Sequence, residues 1–246
     1  MLAGVRHAIA NDESRHYLNG VYLHVTDAEP ARLKAVATNG HMLALQSVEA
    51  PPLSQGMPAI ILPKRTVAEF LKALPSGAEL VSLMVSERLI TLELAGGWRL
   101  TSKLIDGVYP DYTRVIPSDN PHRAKVPAST LAAAIDRVAT FCNADHVGLV
   151  LFLKPDGPIT VTVERPDLGS ARDQAAAEIE GKRAAIGFNQ RYLAAILASL
   201  SGASLELHYN SPADPMLLRP EGSADVLSVL MPMRVDARAE LLEEAA

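Results

Sequence analysis

The feature that most constrains this 246-residue chain is a pattern that occurs twice. Arg65-Thr-Val-Ala-Glu-Phe-Leu-Lys-Ala-Leu, followed by Ser76-Gly-Ala-Glu-Leu, is matched by Arg191-Tyr-Leu-Ala-Ala-Ile-Leu-Ala-Ser-Leu, followed by Ser201-Gly-Ala-Ser-Leu. The spacing of Val67, Phe70, Leu71 and Leu74, and of Leu193, Ile196, Leu197 and Leu200, predicts an amphipathic helix in each copy. A stripe alone arises readily by chance. The arginine, the stripe and the Ser-Gly-Ala together, offset by about half the chain, point to a duplicated domain.

Element order follows the same duplication. In the first half Leu2–Ala10 has helical spacing, Asn11–Ser14 is a polar turn, and Tyr17–Val25 reads as strand interrupted at Asn19-Gly20. Lys34–Gln46 reads as a hairpin turning at Asn39-Gly40. Ala59–Leu62 is a short strand, Lys64–Leu74 a helix ended by Pro75-Ser76-Gly77, and Glu79–Val85 and Leu89–Leu94 are strands. In the second half Pro127–Thr140 is a helix, Val147–Leu153 and Ile159–Glu164 are strands, and Asn189 caps a helix over Gln190–Leu200. The exposed link Ser118–His122 sets the boundary: domains at 1–119 and 120–235, then an acidic, helix-prone extension at 236–246. The fold class is α+β, with two tandem repeats that each pack two helices on antiparallel sheet.

Between the halves runs Thr101–Pro117. Asp106-Gly107 breaks a strand, and Pro110 and Pro117 leave an extended connector carrying Tyr109, Tyr112, Arg114, Val115 and Ile116. So much apolar surface fits a linker that lies on its neighbour and fits a binding groove equally well. The C-terminal run Val226–Val235, with two methionines around Pro232, fits a peptide-binding surface and a buried edge strand alike.

Catalytic signatures are missing. The seven histidines form no helical pair one turn apart, and no Cys joins them at metal-ligand spacing. There is no phosphate-cradling Gly-rich loop. Asp106 and Asp111 with His41 are a remote option for acid–base chemistry, and an Asp in such a turn caps its own backbone far more often. A lone Cys142 fits a reducing cytoplasm, and no apolar run approaches a membrane span. Net charge of −5 argues against bulk-charge binding of nucleic acid. Basic residues read as helix-borne, Arg6, Lys64, Arg65, Lys72, Lys125, Arg137 and Arg191, are either ordinary solvated faces or one basic surface.

The chain resembles the bacterial sliding clamp family, the beta subunit of DNA polymerase III. The matching words are Tyr17-Leu-Asn-Gly20, Ala37-Thr-Asn-Gly-His-Met-Leu-Ala44, Thr101-Ser-Lys-Leu-Ile-Asp-Gly107, Tyr109-Pro-Asp-Tyr112, Arg114-Val-Ile-Pro117, Gly187-Phe-Asn189 and Met231-Pro-Met-Arg234. The resemblance implies the family's second and third domains without its first, and a non-enzymatic processivity factor that needs no metal or cofactor. It implies contact with duplex DNA through Arg6, Arg15, His16, Tyr17, Lys64, Arg65, Arg137 and Arg191. It also implies a pocket for short peptides with Leu and Phe anchors, carried by polymerase, clamp loader and repair proteins. The matching positions are Leu18, Thr38, Gly40, His41, Met42, Leu43, Pro110, Arg114, Val115, Val229, Leu230, Met231, Pro232, Met233, Arg234 and Val235. The hairpin departs from the family, reading Asn39-Gly-His-Met42 where Asp and Arg usually flank Gly-His. A family ring holds six such domains, so the expectation for self-association is a monomer or weak oligomer, or a trimeric ring for a complete natural clamp. The alternative is a peptide-binding clamp fragment or decoy that does not encircle DNA.

Overall fold

Asn39 and Gly40 do turn the chain, and the side chains around them show how. In the computed structural model, which describes residues 1–74 and 81–235, Asn39 Oδ1 accepts from the amides of His41 (2.9 Å) and Met42 (3.0 Å). Thr38 Oγ1 donates to the Met42 carbonyl (2.8 Å) and accepts from the Gly40 amide (3.1 Å). Gly40 sits at φ +88°, where a side chain would be strained.

The chain divides into two units, Met1–Asp111 and Tyr112–Ala246. The first contains α1 (Leu2–Val5), β1 (Gly20–Val25), β2 (Arg32–Thr38), β3 (Met42–Glu49), β4 (Ile60–Pro63), α2 (Lys64–Ala73), β5 (Val81–Val85), β6 (Leu89–Leu94) and β7 (Arg99–Lys103). Its strands pair antiparallel in the order β4-β1-β2-β3, with a separate β5-β6-β7 sheet. Val67 and Phe70 of α2 are buried with Val21, Val36 and Leu62. Trp98, in the turn before β7, stands beside the Phe70 ring at 6.2 Å.

Three local expectations need correction, two in this unit and one just beyond it. The first helix is one α-turn followed by a 3-10 turn at Arg6–Ala8, not a helix to Ala10. Its N-cap Met1 offers no side-chain cap, and Gly4 weakens it from within. The strand expected from Tyr17 starts at Gly20, because His16–Leu18 form a 3-10 turn. Asp12 and Asn19 tie that loop shut: the Asp12 amide donates to Asn19 Oδ1 (2.9 Å), and Asn19 Nδ2 donates to the Asp12 carbonyl (2.8 Å). The connector is not extended throughout, since Tyr112–Val115 form one 3-10 turn, now in the second unit. Proline's fixed φ suits a first helical turn, so Pro110 and Pro117 bracket a turn they do not forbid. The helix terminator at 75–77 and the start of the strand expected from Glu79 lie outside the described residues.

The connector's first part lies on its own unit. Leu104 and Ile105 donate amides to the carbonyls of Arg88 (2.9 Å) and Ile61 (3.0 Å). His16 Nε2 is 3.1 Å from the Asp106 carbonyl. Tyr109 is buried and stacks on Tyr22 with ring centroids 4.7 Å apart.

The second unit contains β8 (His122–Pro127), α3 (Ala128–Val138), β9 (Gly148–Leu153), β10 (Ile159–Arg165), β11 (Gly169–Ala175), β12 (Glu178–Glu180), β13 (Ala184–Asn189), α4 (Gln190–Ser199), β14 (Ser204–Tyr209), β15 (Met216–Pro220) and β16 (Val226–Leu230). Two antiparallel arrays form, β11-β10-β9-β13 and β12-β8-β14-β15-β16. Leu131, Ile135 and Val138 of α3 and Leu193, Ile196 and Leu197 of α4 are buried, each contributing roughly 1.5–3 kcal/mol of transfer free energy. Asn189 caps α4 by accepting from the Arg191 amide (2.9 Å). Lys125 belongs to β8, not to a helix, and pairs with Glu221. The helix begins only after Pro127, whose ring fits a helix start better than an interior.

After β16 the run Met231–Val235 is irregular and lies over β9 and β13. The Met233 amide donates to the Gly187 carbonyl at 2.9 Å. A Cβ on Gly187 would stand 2.4 Å from the Met233 carbonyl oxygen, and one on Gly148 3.0 Å from Val235 Cγ2. Bare backbone at both positions admits the run.

Two measurements check these features. Gly187→Ala must push Met233 away and is expected to cost about 1–3 kcal/mol in urea unfolding, whereas Gly157→Ala, in looser surroundings, should stay within about 0.5 kcal/mol. Equal stability of the two variants would refute the close approach. The other concerns His7, whose ring nitrogens have no hydrogen-bond partner among the described residues and whose pKa burial pushes down to about 4. The unfolded chain then takes up the proton first as pH falls. Stability is full above about pH 6.5 and declines toward pH 4, by roughly 2 kcal/mol between pH 7 and 5. His7→Phe should flatten that stretch of the stability–pH curve.

Candidate functional site

The candidate binding residues fall into two sets, one in each unit. In the first unit Thr38, Gly40, His41, Met42 and Leu43 lie on and beside the β2–β3 turn, and Leu18 ends the 3-10 turn before β1. Leu18, Met42 and Leu43 are buried, Thr38 is half-buried, and Gly40 and His41 are exposed at the tip. Arg15 reaches this turn, since a Cβ on Gly40 would stand 3.1 Å from its Nη1. Pro110 is exposed near the unit's end.

In the second unit Arg114 and Val115 are exposed on the 3-10 turn, and Val229 and Leu230 end β16 in the core. Met231 is 39 % exposed, a large apolar side chain left in solvent. Met233, Arg234 and Val235 wall a cleft of about 550 Å³, whose other sides include His146, Gly148, Glu164, Arg165 and Ser170. Arg165 is largely buried and pairs with Asp167. Sequence reasoning missed this half of the cleft. Gly148 and Gly187 were its one available signal, as glycines inside apolar strands mark close backbone approach.

The cationic candidates fall into two electrostatic classes. Lys64 and Arg65 occupy the first turn of α2, and Arg191 that of α4, with no acidic residue in either first turn. All three are exposed. A cation there opposes the helix dipole, at a cost of about 0.3–1 kcal/mol, where a helix built for stability alone would carry Asp or Glu. Arg6 is exposed on the first 3-10 turn; among the described residues it, Lys64 and Arg65 have no ion pair. Arg15 and Arg137 are instead paired, with Asp12 (2.8 Å) and Asp173. The Arg137 guanidinium holds the Asp173 carboxyl below its usual range. His16 is exposed and packs edge-on to half-buried Tyr17, ring centroids 5.9 Å apart. No group of three His, Cys, Asp or Glu among the described residues could hold a metal ion, and no described helix is long and apolar enough to cross a membrane.

Comparison with known proteins assigns these features to a family. Residues 1–111 match the central domain of the DNA polymerase III beta subunit, and residues 113–234 its C-terminal domain. The Caulobacter vibrioides beta sliding clamp is 40% identical over 94% of this chain, and that of Pseudomonas putida 31% over 93%. The chain spans 62% and 61% of the length of those relatives. Among solved structures, a Bartonella birtlesii sliding clamp bound to griselimycin is similar with a TM-score of 0.90 at 39% identity, covering 95% of this chain and 63% of that one. A Bacillus subtilis clamp gives 0.89 at 25% identity, covering 96% and 61%. Both halves of the chain, with the α+β architecture that the duplicated helix pattern demanded, therefore belong to the DNA polymerase III beta subunit family, the bacterial sliding clamps.

Proposed function

We propose that this chain acts as a DNA sliding clamp or clamp paralogue, a non-catalytic cytoplasmic processivity factor that tethers polymerase, clamp loader and repair proteins to duplex DNA. The observation that carries the reading, beside membership of the family, is the placement of Lys64, Arg65 and Arg191 at helix N-termini. Cations there weaken folding and favour anions, since the free backbone amides and the helix dipole attract the same phosphate. Such contacts carry no sequence information, and a tether that slides requires that.

Peptide capture is proposed for Thr38–Leu43 and Pro110 in the first unit and for Arg114–Val115 and Val229–Val235 in the second. Exposed Met231 and the cleft beside Met233–Val235 support it, because a thioether surface adapts to varied apolar anchors. For self-association the reading is a monomer or weakly associating chain, with three copies closing a head-to-tail ring of six domains where the two domains act alone. One observation favours a second reading, a peptide-binding module that does not encircle DNA: Asp12 and Asp173 neutralise two of the candidate cations.

Both readings expect peptide binding, and the DNA measurements separate them. Fluorescence anisotropy with a peptide bearing adjacent Leu and Phe should give affinity of about micromolar order, weakened about tenfold or more by Met231→Asp. Equal binding by the variant would remove the C-terminal run from the site. Duplex binding should be sequence-blind, and Arg65→Glu with Arg191→Glu should lower the slope of log affinity against log salt by about 2. Retention on nicked circles that is lost on linearised DNA supports encirclement, and release from both favours the second reading.

A further inference from the structure

The loop leading into β1 is organised around one carboxylate. Asp12 Oδ1 accepts from the Ser14 amide (2.9 Å), the Ser14 hydroxyl (2.7 Å) and the Arg15 amide (2.9 Å). Its Oδ2 accepts from Arg15 Nε (2.9 Å) and Nη2 (2.8 Å). These bonds, the Arg15 amide foremost, hold the Asp12 carboxyl far below the usual carboxylate range. Two of the three guanidinium nitrogens are thus committed to a carboxylate three residues away. The third, Nη1, lies against the bare face of Gly40, at the tip of the β2–β3 turn. The loop cannot drift from this position easily, because Asn19 ties Asp12 in both directions and His16 meets the Asp106 carbonyl.

We propose that Asp12 is a positioning residue: it grips Arg15 through two nitrogens, lays the guanidinium across Gly40, and so pins the Asn39–Met42 turn that forms the peptide rim. Arg15 on this account serves the peptide site and not DNA. Its charge is already answered by a carboxylate, so it releases few counterions on meeting a phosphate. The grip depends on a planar fork with fixed donor directions, which lysine does not reproduce despite equal charge. The peptide-rim part rests on the peptide-binding reading; the pin itself is a property of the first unit.

The test uses the full chain and three variants, Asp12→Asn, Arg15→Lys and Arg15→Ala. Amide–water exchange at His41 and Met42 is followed by NMR, with anisotropy of the Leu-Phe peptide and the salt slope of duplex binding in parallel. The expected result is that all three variants quicken exchange and weaken the peptide, each by about three- to fivefold, the upper range for a partly exposed ion pair. Arg15→Ala should leave the salt slope unchanged. Unchanged exchange in Asp12→Asn and Arg15→Lys overturns the pin, and faster exchange with unaltered peptide affinity overturns its role in the peptide rim. A salt slope reduced by about 1 in Arg15→Ala but not in Arg15→Lys makes Arg15 a phosphate contact and overturns the proposal. If exchange quickens while no form, wild type included, binds the peptide, the pin stands and the peptide-binding reading fails.

Discussion

Burial of one aliphatic stripe per helix against antiparallel strands is the interaction on which both units rest, and they meet it unequally. In the second unit α3 and α4 bring Leu131, Ile135, Leu193 and Ile196 to zero exposure. In the first, α1 is a single turn and only α2 has a full stripe. Less helix surface is available there, and polar side chains fix segments that packing does not. Asn19 closes the loop before β1, and Asn39 and Thr38 shape the hairpin turn. The loops of the first unit are consequently specified by directional bonds, which place backbone more exactingly than apolar contact does.

That division explains what was legible in the sequence. The α2 and α4 helices, the Asn39-Gly40 turn and the Asn189 cap each depend on residues within a few positions of one another, and periodicity or turn chemistry exposes them. The strands β11 to β15 were not legible. β11, reading Gly-Ser-Ala-Arg-Asp-Gln-Ala, is polar along most of its length and exists because β10 pairs with all of it. Glu206 is nearly buried, and only the fold brings Arg219 and Arg123 from neighbouring strands to its carboxylate. The family words supplied the peptide-site candidates, yet the far wall of the cleft beside Met233–Val235 comes from the ends of β9, β10 and β11 and the loops beside them, whose residues carry no motif. The pairing of Arg15 with Asp12 was hidden for another reason. Both residues are in plain view, but an i,i+3 pair in a loop has no preferred geometry until the backbone is known.

Electrostatically the molecule spends its positive charge selectively. Net charge is −5, and several cations are answered locally: Arg15 by Asp12, Lys72 by Glu69, Lys125 by Glu221, Arg137 by Asp173. Among the described residues Lys64 and Arg65 have no such partner, at a helix end that already repels them. Local neutralisation shortens the reach of the first group, while the second projects field into solvent over about a Debye length. A negative protein can in this way present a few attractive points without a broadly adhesive surface.

The chain's one tryptophan has a consequence for how the molecule reports on itself. Trp98 stands beside Phe70 in the first unit, so indole emission, its lifetime and its quenching all describe that unit. The second unit has no indole, and its longest-wavelength chromophores are the phenols of Tyr112, Tyr192 and Tyr209. The two homologous halves are therefore optically distinguishable without labels. A fluorescence melt reads the half held by polar loop bonds, and backbone circular dichroism reads both. Any gap between the two curves measures how independently the duplicated domains come apart.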